Sequence, residues 1–161
     1  MRIIQIFVLF LVCLVNMGWA NQDNTEINEY LQKGYQAWQA GNFNEALNYY
    51  EDVLRIQPKQ IDAINFIGVI YEEYGWKDKA EEKYQTAISL DRQYLPALSN
   101  LGYLYWNQGD LEKAAFYFQK RIQWGRPKDP WTIQTQKALK NILAQQGADQ
   151  HEQINKEIGT K

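Results

Sequence analysis

The residues that could do chemistry are few and poorly placed for it. His151 opens His151-Glu152-Gln153-Ile154-Asn155, which starts like the helical zinc-protease motif but ends in Asn. The second imidazole, one helical turn on, is therefore missing. Cys13 is the only cysteine, so the chain has no disulfide and no thiolate metal site. The carboxylates Glu72, Glu73, Glu81 and Glu82 cluster, but Glu81 and Glu82 read as a solvated helix face beside Lys79 and Lys83. Such pairs contribute only tenths of a kcal/mol. These residues give no catalytic site, no metal and no cofactor, and the chain reads as a non-enzyme.

Whatever function the chain has must be positioned by its helices, and their pattern is strongly periodic. Gly34, Gly68 and Gly102 stand 34 residues apart. Ala46, Ala80 and Ala114 keep the same step, as do Gly41, Gly75 and Gly109, and Tyr50, Tyr84 and Phe118. A fixed period of this length marks one supersecondary unit stacked on copies of itself. With each glycine at the eighth place, the repeats are 27–60, 61–94 and 95–128. The first helices carry apolar stripes: Ile27, Tyr30, Leu31; Ile64, Ile67, Tyr71; Leu98, Leu101, Tyr105. A mid-helix glycine costs about 1 kcal/mol relative to alanine. Three in register imply close approach by the partner helix, with the alanines as its matching small surface. Gly41, Gly75 and Gly109 suit left-handed turns, Asn42 and Asp110 can cap the helices that follow, and Pro58 closes the first repeat.

Beyond Pro127 the period stops. Asp129 and Pro130 read as a cap and first helical residue. Trp131, Thr135, Ala138, Leu139, Ile142 and Leu143 form a stripe fit to cover the last repeat, giving a capping helix over 129–147 ended by Gly147. Residues 148–161 form a polar, frayed tail.

The start of the chain is a different matter. Met1-Arg2, an apolar run from Ile3 to Val15 and the small residues Gly18 and Ala20 read as a signal peptide over 1–20, followed by a polar lead over 21–26. Export to the periplasm or medium follows; the alternative is anchoring to the inner membrane by residues 3–20. Cys13 lies inside the apolar run rather than after it, which argues against lipidation. The formal net charge of −2, with no long charge runs, gives no footprint for nucleic acid or anionic lipid. A membrane contact is expected only through the N-terminal segment.

The small-residue pattern Gly34/Ala46, Gly68/Ala80 and Gly102/Ala114, with Tyr71 and Tyr105 at the eleventh place, resembles the tetratricopeptide repeat (TPR) family over residues 27–128. The chain departs from it at Ala37, Arg92 and Arg126, and at Arg121, which replaces a small residue that packs on the following unit. The resemblance implies an all-α fold: a short α-solenoid of three antiparallel helix hairpins plus the capping helix. It also implies a groove lined by first-helix residues, here Leu31, Tyr35 and Trp38; Asn65, Val69 and Glu72; Ser99, Tyr103 and Trp106. The family's carboxylate clamp uses cations at these places and this chain has none, so an apolar, aromatic or basic peptide fits Glu72 better. The expected function is that of an exported bacterial adaptor binding a protein or peptide partner in an envelope assembly. A self-associating structural scaffold is the alternative.

Overall fold

The computed structural model describes the backbone of residues 24–159 and side chains through Gly147. The signal segment 1–20 with Cys13, the first residues of the polar lead and the His151 side chain lie outside the described residues. Within them the secondary structure is entirely helical: α1 (24–39), α2 (Phe43–Ile56), α3 (Ile61–Glu73), α4 (Lys77–Leu90), α5 (Leu95–Gln108), α6 (Leu111–Trp124) and α7 (Pro130–Gly159). The pairs α1–α2, α3–α4 and α5–α6 fall on the three sequence repeats. No described helix is long and apolar enough to cross a membrane. The chain divides into two compact units, with the division inside α3 between Ile70 and Tyr71.

In unit one the core is Ile27 and Ala37 of α1, Ala46, Tyr50 and Val53 of α2, and Ala63, Ile64, Ile67 and Ile70 of α3. The reason for glycine at place 34 is more specific than a bare backbone contact. A Cβ there would lie 2.9 Å from the Tyr50 ring, so the missing side chain makes room for an aromatic. The residues 24–26, assigned above to the polar lead, already belong to α1.

Unit two repeats the device. A Cβ on Gly102 would overlap the buried ring of Phe118. The turn into α6 runs through Gly109 at φ 81°, a left-handed conformation that a side chain disfavours, and Gly41 and Gly75 turn the same way. Asp110 caps α6, its carboxylate accepting from the Lys113 amide at 3.0 Å. Asn42 does not cap α2, and Trp76 stands at the same place before α4 without capping it.

Arg121, the residue least suited to a helix interface, is what fastens α7. It is 4% exposed. Its guanidinium donates to Ser99 Oγ at 3.1 Å, to Thr132 Oγ1 at 2.9 Å and to Asp129 Oδ2 at 2.7 Å. Asp129 in turn accepts from the Thr132 amide at 3.0 Å, capping α7 as expected. Gly125 lies so close to Arg121 and Thr132 that a Cβ would collide with both. This clamp turns Thr132, Thr135, Ala138 and Ile142 inward, and α7 packs on α6. The expected covering stripe is corrected at two places: Trp131 and Leu143 stay exposed, because the clamp selects Thr132 rather than its neighbour to face in. The helix end is corrected too. α7 runs through Gly147 to Gly159, since one helical glycine costs about 1 kcal/mol and no proline follows it.

Candidate partner-binding residues

The twelfth place of each repeat meets the buried aromatic of its second helix, directly in the second and third repeats and through Phe66 in the first, and each repeat fills the two places differently. In unit one the pair is Trp38 with Tyr50. Tyr35 stacks on Trp38 at 5.8 Å, and Phe66 of α3 meets Tyr35 at 5.9 Å, Trp38 at 6.5 Å and Tyr50 at 5.1 Å, the last in parallel. These four rings form one cluster. Two of its polar atoms, Trp38 Nε1 and the Tyr50 hydroxyl, are sealed from solvent without a hydrogen-bond partner. Buried polar atoms ordinarily have one. Burial, with the nearby Tyr35 and Asp62, holds the Tyr50 phenol protonated well above its ordinary range.

Of the expected groove residues in this unit, Tyr35 is 42% exposed and Leu31, Trp38 and Val69 are half-buried. Asn65 is 4% exposed, so it belongs to the packing of α3 rather than to an open face. Phe66, absent from the expected set, is the residue that joins the rings. Its signal in the sequence was only an aromatic at a place the repeats do not share.

In unit two the second repeat has Glu72 with Tyr84. The buried Tyr84 hydroxyl donates to Glu72 Oε2. Burial pushes the Glu72 carboxyl above the ordinary glutamate value, while the Tyr84 bond and Lys77 pull it back. Glu72 is therefore half-buried and already engaged. Glu81 also departs from the expected solvated face, because it accepts from the Tyr105 hydroxyl at 2.6 Å and links α4 to α5. The third repeat has Trp106 with Phe118, perpendicular at 6.2 Å, and no hydroxyl to satisfy. Tyr103 stacks on Trp106 at 6.1 Å and meets Phe118 edge-on at 4.9 Å. Both are half-buried. The Ser99 hydroxyl is taken by Arg121.

Of the expected groove residues, Tyr35 with Trp38 on α1 and Tyr103 with Trp106 on α5 form stacked aromatic pairs that stay exposed or half-buried. Stacked aromatics offer large contact area at low entropic cost, with a polar atom to orient a chain. Among the described residues no cluster of three metal-ligating side chains occurs.

Tetratricopeptide repeat models match residues 31–94 and 95–124. Among curated relatives, the photosystem I assembly protein Ycf3 of Rippkaea orientalis (strain PCC 8801 / RF-1) is 31% identical over 121 residues, covering 65% of this chain and 70% of the relative. The Ycf3 of Prochlorococcus marinus subsp. pastoris (strain CCMP1986 / NIES-2087 / MED4) is 29% identical over 104 residues, 58% of this chain. The chain spans only 60% of that relative's length. Among solved structures, PcrH in complex with the chaperone-binding region of PopD superposes with a TM-score of 0.69 at 13% identity, covering 76% of this chain and 95% of that one. With helix hairpins, register and relatives in agreement, the chain belongs to the tetratricopeptide repeat family, whose domain is a protein–protein interaction module.

Proposed function

We propose that the chain is a non-catalytic adaptor that holds a peptide or helical segment of a partner protein, through the ring pairs Tyr35–Trp38 and Tyr103–Trp106. The observation that carries this reading is the exposed Tyr35 ring stacked on the half-buried Trp38. The likeness to PcrH, whose solved form holds a region of PopD, supports a bound segment. The similarity to Ycf3 assembly proteins supports a role in building a larger complex.

The signal-like pattern of the first twenty residues supports the reading that this work is done in a bacterial envelope, after export. Intact-mass measurement on protein from its native host checks this: a chain starting near Asn21 agrees, and one retaining Met1 in the membrane fraction favours the anchor.

The binding reading is tested with Trp38→Ala and Trp106→Ala, using partners captured from the native host by the parent chain. Each variant should weaken capture, since truncating a buried aromatic anchor typically costs about 2 kcal/mol or more. If thermal stability falls in step with binding, the rings are packing residues and the assignment fails.

A further inference from the structure

The place just before the second helix of each repeat is held by Asn42, Trp76 and Asp110 in turn. Small polar side chains are favoured there, because they accept from the free amides of the first helical turn. Asp110 does so with the Lys113 amide at 3.0 Å. Trp76 cannot, since an indole donates and does not accept, and α4 starts without a side-chain cap. Nor is the indole there to fill a core, being 47% exposed. A side chain that breaks a local rule without a packing gain points to function.

The surroundings of the indole show what it offers. Tyr71 lies 5.7 Å from its ring and Tyr74 4.9 Å. The Lys79 ammonium stands 4.3 Å over the indole and 5.7 Å over the Tyr71 ring. The third repeat supplies the comparison, because Tyr105, Asp110 and Lys113 hold the places of Tyr71, Trp76 and Lys79. There the ammonium lies 4.7 Å over Tyr105 and also pairs with Asp110 at 3.1 Å. In the second repeat the indole replaces that carboxylate, and Lys79 makes no ion pair among the described residues. Ring faces attract an ammonium through their quadrupole, Trp most strongly, but the hold on a solvated lysine is weak. Lys79 is exposed, so a surface that selects cations is covered only by one that exchanges easily.

We propose that Trp76 and Tyr71 form a cation site on the α3–α4 turn, which takes the ammonium of a lysine on a partner protein. Lys79 is the resident occupant that the partner's lysine displaces. The ligand class follows from that occupant: the rings already hold a primary ammonium on a four-carbon stem. A carboxylate is disfavoured, since the ring faces carry the negative lobes of the quadrupole. The site shares no residue with the ring pairs on α1 and α5 and does not depend on them.

Nuclear magnetic resonance titration of the full-length chain tests the proposal, with a short alanine–lysine peptide as probe. The same peptide acetylated at every lysine Nζ is the neutral control. Binding is read at the amide of Gly75, which precedes the indole and is kept in every variant. The parent should bind the lysine peptide about fivefold or more tightly than the acetylated one. Trp76→Asn, the residue of the first repeat at this place, should lose about fivefold in affinity while its thermal midpoint holds. Lys79→Ala should bind several-fold more tightly than the parent, because no resident ammonium competes. Lys77→Gln removes the same charge nearby without uncovering the rings and should gain less. Equal binding of the two peptides, or a Trp76→Asn variant with the parent's affinity, overturns the cation site. A Lys79→Ala variant that gains no more than Lys77→Gln overturns the displacement.

Discussion

Units one and two bury similar aromatics behind similar glycines, yet they treat buried polar atoms in opposite ways. In unit two, Tyr84 has Glu72, Tyr105 has Glu81, and Arg121 has Ser99, Asp129 and Thr132. In unit one, Tyr50 and Trp38 have none. The difference begins at the twelfth place of the repeat: Glu72 accepts from Tyr84, whereas the Trp38 indole N–H does not bond the Tyr50 hydroxyl, which could accept it. A satisfied network rigidifies its surroundings, whereas an orphaned pair leaves a local cost in the packing of unit one. The contrast teaches that the repeats share a framework while their polar contents differ from one repeat to the next.

The largest effect should come from breaking the best-satisfied group. Arg121→Met removes the donor to Ser99 and Thr132 and leaves Asp129 only the Thr132 amide and hydroxyl; it should destabilise the protein by about 3 kcal/mol, read as a lowered denaturant midpoint. An unchanged midpoint would mean that α7 is held by its apolar face alone.

Next come the glycines beneath the rings. Gly102→Ala drives a methyl into Phe118, a ring held between Tyr103 and Trp106, and should cost about 2 kcal/mol through overpacking. Gly34→Ala meets Tyr50 less severely and should cost less. Thermal melts of the two variants rank the contacts, and a reversed order would refute this account of why the rings need glycine.

The tyrosines sharpen the contrast directly. Tyr84→Phe deprives Glu72 of its donor and should cost about 1 kcal/mol. Tyr50→Phe removes an orphaned hydroxyl and should be neutral or slightly stabilising. Equal losses in chemical denaturation would show that Tyr50 has a partner after all.

The smallest effect is a pH dependence. Folding raises the Glu72 carboxyl above its unfolded value, so the folded state holds that proton more tightly. Its contribution is fully present below the unfolded value and is lost as pH rises through the raised folded value. Asp110 and Asp129, held below the ordinary range by Lys113 and Arg121 respectively, act in the opposite sense and lose their stabilisation as pH falls. The difference between the parent and Glu72→Gln isolates the glutamate: relative to the variant, the parent should lose stability as pH climbs through that window. Parallel curves would place Glu72 in water.

Much of the framework was legible in the residues. Three glycines, three alanines and an aromatic series at one step point to a repeated hairpin, because a mid-helix glycine is costly unless a group on the partner helix needs its space. The turns at Gly41, Gly75 and Gly109 were legible for the same local reason. The candidate site was legible only by type. That Tyr35 is open, Asn65 closed, Ser99 taken by Arg121 and Glu72 taken by Tyr84 depends on which atoms meet across helices, and spacing along one helix does not report that.

The amino-acid sequence by itself determined the hairpins, their register and the aromatic content of their first helices, since period, propensity and turn chemistry act within a few residues of one another. Only the tertiary structure decided which buried atoms found partners. Arg121, a misfit at a repeat interface, became the clamp on α7 because Asp129 and Thr132 arrive beside it from the next helix. The same arrival turned Thr132 inward and left Trp131 exposed. Hydrogen-bond satisfaction is a property of three-dimensional neighbours, and it distinguishes two units built on one repeat.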